Sequence, residues 1–516
     1  MKKSIYFLPL LFAGCYPGYN NCSHDKIQVE DENLSNGEVS EYMGDFPNDP
    51  IYKYQWHLTK LEARDVWEKY RGKGISIGVV DTGIEAKHPD LIDKIDFNHS
   101  LRYSDWSNNP SPDFYQLLDT PSDSAHGTAC AGIIGAEGWN SEGVVGVAPE
   151  SKLVGFNAFS SGYNSDFEDA LGNLNVDISS NSWGASDSNA LYDDPSSMRG
   201  IEHGIKNGRD GKGIIYVFAS GNEGNNINSS TLHGSRYVFN VGAVVKSDEV
   251  PDYSNFGENI LLVAPAGDWD TENGNGIYTT DLTGWDYGFD MNTSFEQYYT
   301  AGLEKFDGNY TGNMNGTSSA VPVVSGAVAL VLEANPDLTY RDLKYILSKT
   351  ATVTNSDVFY YDWIQNGAGI WHSPYYGFGI INLKGAIELA KNFTNLSEEQ
   401  ELSAQKSVDL ELKRYRTAST EIELSKNMII EHVELVLDVT HYDVGALRIS
   451  LVSPSGTKSV LTDGDRYLSG TYEGGWSLNS LKFLDENSSG TWKISIYNKS
   501  RSLGTFNSFK LNIHGR

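Results

Sequence analysis

The stretch Ile75-Ser-Ile-Gly-Val-Val-Asp-Thr-Gly83 joins a short apolar run to a carboxylate and a glycine. Apolar runs of this length, without polar alternation, are typical of strands buried on both faces of a parallel sheet. Similar runs occupy residues 152–156 and 213–218, and helical patterns occupy residues 126–136, 165–174, 196–208 and 317–334. This alternation predicts an α/β domain over residues 46–391, with helices on both faces of a parallel sheet.

The pattern changes after residue 391, as expected for a chain of 516 residues that exceeds one ordinary domain. Residues 392–407 are polar and acidic, and they predict a linker. Short runs that alternate apolar and polar residues then occupy residues 422–424, 432–437, 447–452, 492–496 and 509–513. Alternating strands with turns between them predict an antiparallel all-β sandwich over residues 408–516.

The N-terminus has the form of an export signal over residues 1–15. Two lysines precede an apolar run at residues 5–12, which is too short to span a bilayer. The run ends in Phe12-Ala13-Gly14-Cys15, which resembles the cleavage box of bacterial lipoproteins. We expect an extracytoplasmic bacterial protein, either freely secreted or an outer-membrane lipoprotein whose lipid anchor is its contact with the membrane. Residues 16–45 are polar and unpatterned, and they predict a flexible leader.

The charge of the chain excludes two classes of partner. Its 68 acidic and 39 basic residues give a formal net charge of −29, which repels nucleic acid and anionic membranes. Such acidity would favour cationic substrates or calcium, although solubility outside the cell is the simpler explanation. The three cysteines, Cys15, Cys22 and Cys130, form neither a disulfide framework nor a zinc pattern.

Four polar residues stand at positions suited to acyl transfer, which needs a nucleophile, a base, a carboxylate that orients the base, and an oxyanion donor. Asp81 ends the first predicted strand, and His126 opens a predicted helix. Ser318 begins a long apolar helix, whose N–H groups and dipole face negative charge. Asn222 follows another buried strand and offers a side-chain amide. Taken singly, each is as well explained as a strand-end, capping or turn residue. Together they predict one catalytic site.

Over residues 50–390 the chain resembles the subtilisin-like peptidases, whose catalytic residues follow the order Asp, His, Ser. The motifs are Asp81-Thr82-Gly83, His126-Gly127-Thr128, Ser220-Gly221-Asn222 and Gly316-Thr317-Ser318. Residues 83–90, 182–187 and 208–214 resemble the kexin/furin-like branch, and residues 441–456 and 487–494 resemble the P domain of that branch. The resemblance implies a subtilisin-like parallel-sheet catalytic domain followed by a P-domain-like β-sandwich.

The resemblance implies a serine endopeptidase that acts on protein or peptide substrates. Ser318 would attack the peptide carbonyl while His126 takes its proton. Asp81 would orient the imidazole, and Asn222 would bind the oxyanion. The alternatives are a binding protein with an inactive peptidase domain and an esterase or lipase. The four intact residues argue against the first, and the lack of a Gly-x-Ser-x-Gly elbow around Ser318 argues against the second.

The sequence departs from the kexin/furin-like branch at residues that determine substrate specificity. By resemblance, the stretch Ser182-Trp183-Gly184 would pair with the substrate backbone and wall the primary specificity pocket. The branch selects basic residues before the cleaved bond through a pair of carboxylates in the primary pocket. Asp187 matches one of these two carboxylates. Asp123 matches an acid of the neighbouring pocket. Residues 225–233 are shortened and offer Ser or Thr where the second acid is expected. We therefore expect a weaker preference for basic residues than the branch shows. An insertion at about residues 284–314 is expected to reshape the cleft.

The same resemblance implies a calcium site. Asp49, Asp90 and Asn140 match its side-chain ligands, and backbone carbonyls would come from the loop that contains Glu137, Glu142 and Val144. Oxygen ligands from three separate segments suit calcium, and the alternative is that these are solvated loop residues. Asn255 stands where the branch has an acid that supports a second calcium ion.

Two further expectations concern Cys130 and folding. Cys130 is either a free thiol beside the active site or a small residue in a tightly packed helix.

Family members usually carry a prosegment that templates the catalytic domain, whereas here only a short polar leader precedes Asp49. We expect a trans-acting chaperone or inhibitor to assist folding of the non-local parallel sheet. The alternative is unaided folding, helped by calcium and the C-terminal domain.

Overall fold

The computed structural model describes residues 46–184, 191, 193–268, 275–289, 308–358, 361–464 and 470–516. The predicted export signal and leader, and also Asp187, therefore lie outside the described residues. Within the described ranges, the chain folds into an α/β domain followed by a β-sandwich. The predicted fold class is confirmed.

The elements of the first domain follow the predicted alternation. Its helices are α1 (Trp56–Lys60), α2 (Ala63–Trp67), α3 (Phe114–Asp119), α4 (His126–Gly135), α5 (Asn164–Leu171), α6 (Pro195–Asn207), α7 (Thr231–Gly234), α8 (Thr317–Ala334), α9 (Tyr340–Thr350) and α10 (Leu383–Ala390). Its strands are β1 (Ser76–Val80), β2 (Leu101–Arg102), β3 (Lys152–Asn157), β4 (Ile178–Asn181), β5 (Ile215–Ala219), β6 (Val238–Val244), β7 (Leu262–Pro265), β8 (Ile277–Thr280), β9 (Tyr310–Met314), β10 (Ile364–Gln365) and β11 (Trp371–His372).

Seven parallel strands form the central sheet in the order β2-β3-β1-β4-β5-β6-β7. Alternate strand residues point to opposite faces, so that Ile77 and Val79 join a core with α4 and α8, whereas Val80 joins a core with α5 and α6. The helices therefore cover both faces, which explains why the strands are apolar without alternation. The expected insertion lies partly outside the described residues, and its C-terminal end forms β9, which pairs with β8.

Helix α8 runs through the centre of the domain and carries Ser318 at its first turn. Among the described helices it alone is long and apolar enough to cross a membrane, and 89% of it is buried inside the protein. We therefore describe it as the core helix of the α/β domain. Its apolar side chains pack on strands β4 to β7, which fixes the position of its N-terminus against the strand ends.

The second domain is a sandwich of two four-stranded antiparallel sheets, ordered β12-β19-β14-β17 and β13-β18-β15-β16. The strands are β12 (Gln400–Leu412), β13 (Thr417–Leu424), β14 (Ile430–His441), β15 (Leu447–Val452), β16 (Lys458–Asp463), β17 (Trp476–Ser480), β18 (Gly490–Asn498) and β19 (Gly504–Gly515). Their inward residues, including Leu435, Trp492 and Phe506, form a separate buried core.

The predicted linker is wrong over residues 400–407, which form the first part of β12. This strand lies at the edge of its sheet and is held by main-chain pairing with β19. Most of its side chains are exposed on both faces, and only Leu412 is buried. Apolar residues do alternate along this strand, and Leu402, Ala404 and Val408 are partly buried against the sandwich core, but the many polar and charged residues between them led to the linker prediction.

Buried polar contacts join the two domains. Lys482 Nζ lies 2.8 Å from Glu258 Oε1, and both side chains are 2% exposed. We call this contact the interdomain ion pair. Nearby, the Asn228 amide nitrogen donates to the Leu461 carbonyl at 3.1 Å, and the Asn479 N–H donates to Asn228 Oδ1 at 3.0 Å. The segment between β5 and α7 is therefore attached directly to the sandwich.

Candidate active site

The fold brings the four predicted catalytic residues to one edge of the sheet. Asp81 directly follows β1, and Asn222 lies three residues beyond β5. His126 is the first residue of α4, and Ser318 is the second residue of α8. Because β1, β4 and β5 are parallel neighbours, their carboxyl ends form the crevice where open α/β sheets bind ligands.

Asp81 and His126 form a direct hydrogen bond. The distance from His126 Nδ1 to Asp81 Oδ1 is 2.8 Å, and the Thr82 N–H donates to the same oxygen at 2.7 Å. The close approach of α4 depends on Gly127, since a Cβ there would lie 2.3 Å from the Gly83 carbonyl oxygen and 3.0 Å from Asp81 Cβ. With Nδ1 bound to the carboxylate, Nε2 remains as the base.

Electrostatics at the imidazole stabilise the imidazolium that forms when Nε2 takes up a proton. Burial acts to lower the pKa of His126, but the charge and hydrogen bond of Asp81, together with the contact to Cys130, raise this pKa well above its usual value. Burial raises the pKa of the Cys130 thiol, so the thiol remains neutral. Asp81 is therefore the charge that stabilises the imidazolium.

Ser318 is anchored to the end of β4. Its hydroxyl donates to the Ser182 carbonyl at 3.1 Å, and the Ser182 hydroxyl donates to the Ser318 carbonyl at 2.9 Å. Cys130 connects Ser318 to the base, since its Sγ lies 3.7 Å from the Ser318 carbonyl oxygen and 3.9 Å from His126 Nδ1. In this arrangement the Ser318 hydroxyl is bonded to Ser182. Its bond to His126 would form by rotation when substrate binds, as is common in free enzymes.

The side chain of Asn222, the candidate oxyanion donor, is fixed by a contact that sequence analysis did not predict. Asn222 Oδ1 accepts hydrogen bonds from the Thr317 N–H at 2.8 Å and from the Thr317 hydroxyl at 2.9 Å. The amide oxygen is thereby occupied, and the amide nitrogen is left as the donor. The Ser318 N–H belongs to the first turn of α8 and has no intrahelical acceptor. Thr317 precedes Ser318 in the motif, but its contact with Asn222 spans 95 residues and leaves no local signal.

The predicted substrate-binding residues lie in different environments in the structure. Ser182 and Gly184 follow β4 beside Ser318, and Asp123 lies in the short helical turn before His126. The Trp183 side chain turns inward, where its indole N–H donates to the Val80 carbonyl at 2.8 Å. Its ring packs among Phe159, Phe167 and Phe218, so only its backbone is suited to substrate. Asp187 lies outside the described residues.

Asn255 forms hydrogen bonds to the chain on both sides of Asn222. Its amide nitrogen donates to Glu223 Oε2 at 2.6 Å and to the Ser220 carbonyl at 2.9 Å. Its amide oxygen accepts from the Asn225 N–H at 2.8 Å and from the Glu223 N–H at 3.1 Å. Where the branch has an acid, this amide ties the segments before and after Asn222 together.

The predicted calcium ligands do converge. Asp49 and Asp90 are 4% and 0% exposed. Asp90 accepts hydrogen bonds from Asn140 Nδ2 at 2.7 Å and the Val144 N–H at 3.0 Å, and the Glu137 N–H donates to the Asp90 carbonyl at 3.0 Å. The Glu142 N–H donates to Asn140 Oδ1 at 2.9 Å. Burial, assisted by the charge of Asp49, raises the pKa of Asp90 to about 7.

These residues fit a divalent cation in their chemistry. Asp49 Oδ1 is buried and has no hydrogen-bond partner among the residues the structure describes. Two buried carboxylates that destabilise each other are stabilised when a cation lies between them. Asn140 presents its amide nitrogen to Asp90, so binding calcium through its oxygen would require the amide to turn.

Comparison with known proteins agrees with this architecture. Residues 72–379 match the subtilase family, and residues 430–513 match the proprotein convertase P-domain. Furin from Bos taurus is 30% identical over 492 residues, which cover 91% of this chain and 58% of the relative. Proprotein convertase subtilisin/kexin type 7 from Homo sapiens is 30% identical over 499 residues, covering 91% and 60%. The chain thus spans less than two thirds of the length of these relatives.

Two solved structures share the fold over nearly the whole chain. A serine protease of Aeromonas sobria gives a TM-score of 0.81 at 25% identity, covering 94% of this chain and 99% of that one. An Aeromonas sobria serine protease in complex with a chaperone gives 0.78 at 24% identity, covering 91% and 95%. From its matching sequence and its shared two-domain architecture, the chain belongs to the subtilase family, and its β-sandwich is a proprotein convertase P-domain.

Proposed function

We propose that the protein is a serine endopeptidase that hydrolyses peptide bonds through Asp81, His126 and Ser318. The observation that carries this proposal is the 2.8 Å bond from Asp81 to His126 Nδ1, in the crevice that also holds Ser318. The position of Asn222, with its amide oxygen held by Thr317, supports the same reaction. Relatives named furin and serine protease are consistent with it.

The geometry supports the following sequence of steps. The Ser318 hydroxyl leaves the Ser182 carbonyl, transfers its proton to His126 Nε2 and attacks the peptide carbonyl carbon. The oxyanion accepts hydrogen bonds from the Asn222 amide and the Ser318 N–H. His126 then gives its proton to the leaving amine as the C–N bond breaks, which leaves an acyl-enzyme on Ser318. Water, deprotonated by the same imidazole, hydrolyses the acyl-enzyme and restores the hydroxyl.

The decisive experiment compares the purified protein with Ser318→Ala. The wild type should react covalently with a fluorophosphonate and digest casein, whereas Ser318→Ala should do neither while keeping the wild-type melting temperature. Ser397→Ala, at an exposed serine, is the matched control and should retain both activities. Comparable digestion by Ser318→Ala would refute the assignment. Labelling without digestion of protein would point to an esterase.

We also propose that basic residues precede the cleaved bond, by analogy with the kexin/furin-like branch. The support is the match of Asp187 to one pocket acid of that branch and the position of Asp123 beside His126. Mass spectrometry of the peptides released from a denatured protein tests this directly. Lysine and arginine should be enriched before the cleaved bond, and Asp187→Asn should reduce the enrichment. A product map dominated by large apolar residues would refute the preference.

Calcium is the cofactor we propose for the site around Asp49 and Asp90. When bound, the ion would neutralise the two buried carboxylates and link three segments of the chain. Asp49, Asp90 and Asn140 would supply side-chain oxygens, and the loop from Glu137 to Val144 would supply carbonyls. The support is the buried Asp49 oxygen without a partner among the described residues and the raised pKa of Asp90.

We propose that the protein lies outside the cytoplasm, either free or attached to the membrane through a lipid on Cys15.

We also propose that a chaperone assists its folding. A structure of similar fold was solved with a chaperone, and parallel sheets form slowly because their contacts are non-local. Expression of residues 16–516 alone in a heterologous periplasm is the test. Full soluble activity without a partner protein would refute the need for a chaperone.

A further inference from the structure

His233 lies between the chain segments that follow β4 and β5. The crevice lies between the segment after β4, which holds Ser318 through Ser182, and the segment after β5, which carries Asn222. In the proposed reaction, a substrate carbonyl carbon sits at Ser318 and its oxygen faces Asn222. The side chain before the cleaved bond must therefore enter between these two segments.

The imidazole of His233 occupies the space between the two strand ends. Its Nε2 lies 3.1 Å from the carbonyl oxygen of Ala219, the last residue of β5. A Cβ on Gly184 would lie 2.8 Å from Cε1 and Nε2 of the same ring and 3.8 Å from the Ala219 oxygen. The ring thus reaches from one wall to the other, and it limits the depth of the crevice.

The ring is held in one tautomer and one position. Because the Ala219 oxygen only accepts hydrogen bonds, Nε2 must carry the proton, and Nδ1 accepts from the Ser230 hydroxyl at 2.8 Å. The His233 carbonyl accepts from the Asn240 and Asn259 amides at 2.7 and 3.1 Å. Burial lowers the pKa of His233 to about 4, so the ring is neutral near neutral pH. Ser230 belongs to the shortened segment in which the second acid was expected.

From this geometry we propose that His233 is a specificity-determining residue that makes the primary pocket favour lysine over arginine. An arginine needs depth and several acceptors for its planar fork, whereas a lysine ammonium is a compact charge on a shorter side chain. His233 shortens the pocket and occupies the Ala219 carbonyl, one of its acceptors. The inference rests on the proposed endopeptidase activity and names the substrate class of that site.

The test measures kcat/KM for two peptides that differ only in lysine or arginine before the cleaved bond. The wild type should favour lysine. His233→Ala frees both volume and the Ala219 oxygen, and it should lower the lysine-to-arginine ratio about tenfold, mainly through faster cleavage of the arginine peptide. His233→Gln, which keeps an N–H donor, should retain more of the lysine preference than His233→Ala.

Two controls separate this role from a structural one. The rate at which a small fluorophosphonate labels Ser318 should not change in His233→Ala, because the reagent has no such side chain. His57→Ala removes another buried histidine, which lies on α1 and not on the segments that follow β4 and β5, and it should leave the ratio unchanged. An unchanged ratio in active His233→Ala, or a wild type that favours arginine or neither residue, would overturn the inference. Loss of labelling in the wild type would instead refute the endopeptidase itself.

Discussion

Replacing Lys482 with methionine should unfold the protein at markedly lower denaturant concentration. Lys482 Nζ lies 2.8 Å from Glu258 Oε1 in the interdomain ion pair, and the Val460 N–H also donates to that oxygen at 3.0 Å. Methionine fills a similar volume but carries no charge. The substitution therefore leaves a carboxylate that is 2% exposed without its cation.

An uncompensated buried charge of this kind costs about 3–5 kcal/mol of unfolding free energy. Domains are stable by only about 5–15 kcal/mol, so the loss is a large part of the total. His372 Nδ1 lies 3.6 Å from Glu258 Oε2, and when protonated it would partly compensate the charge of this carboxylate. Burial lowers the pKa of His372 well below its usual value, and the charge of Lys482 lowers it further. Without Lys482, a proton is taken up more readily at this cluster. The loss should therefore be smaller near about pH 5 than near about pH 8.

The assay is equilibrium denaturation in urea, followed by tryptophan fluorescence, with Ser318→Ala as the background to prevent self-digestion. Glu258→Gln combined with Lys482→Met removes both charges and should recover most of the lost stability, because buried pairs are often replaced at little cost. Lys384→Met, at an exposed lysine that pairs with Asp65, should leave the midpoint nearly unchanged. The reasoning is refuted if Lys482→Met costs less than about 1 kcal/mol, or if the double variant is as unstable as the single one.

Three further predictions concern the active site and the proposed calcium site. Asn222→Ala should lower kcat about 10²–10³-fold with little change in KM, measured by steady-state peptide hydrolysis, and an unchanged kcat would remove Asn222 from the oxyanion site. Asp81→Asn should lower kcat about 10⁴-fold. Asp81 raises the pKa of His126, so in Asp81→Asn the residual kcat/KM should begin to rise with pH at a lower pH than in the wild type. A kcat/KM profile whose rise stays at the wild-type pH would contradict the effect of Asp81 on His126. A chelator should lower the melting temperature and added calcium should restore it, whereas Asp90→Asn should respond weakly to both; a wild type indifferent to both would exclude calcium.

Sequence analysis located the four candidate catalytic residues because each lies at or near the end of a strongly patterned element, and their catalytic roles stay predictions. Asp81 follows an unbroken apolar strand, and Ser318 opens a long apolar helix, so the edge at which they meet follows from the topology of parallel sheets. The α/β domain and the sandwich followed from the change between continuous and alternating apolar patterns. The first part of the edge strand β12 was missed because its polar and acidic composition outweighed a weak alternation of apolar residues, three of which are partly buried against the sandwich core.

The contacts that refine the site could not be predicted in this way, because they join segments far apart in the chain. The backbone of Trp183 stays predicted to pair with the substrate, but the position of its indole, which donates to the Val80 carbonyl 103 residues away, was not predicted. The bond between Asn222 and Thr317 and the position of His233 under Gly184 likewise depend on how separate loops pack. Local periodicity carries no information about such distances, and a single sequence offers no other source of it.

The attachment of Asn228 to the P-domain limits how freely this protein can be assembled from parts. Asn228 bonds both to Leu461 and to Asn479, and it lies only five residues before His233. A chimera that exchanges the P-domain for that of a relative would replace the anchor of a segment that borders the proposed primary pocket. Such an exchange would act on substrate choice as well as on folding. The natural unit for recombination therefore includes residues 226–228 together with the whole sandwich, rather than the sandwich alone.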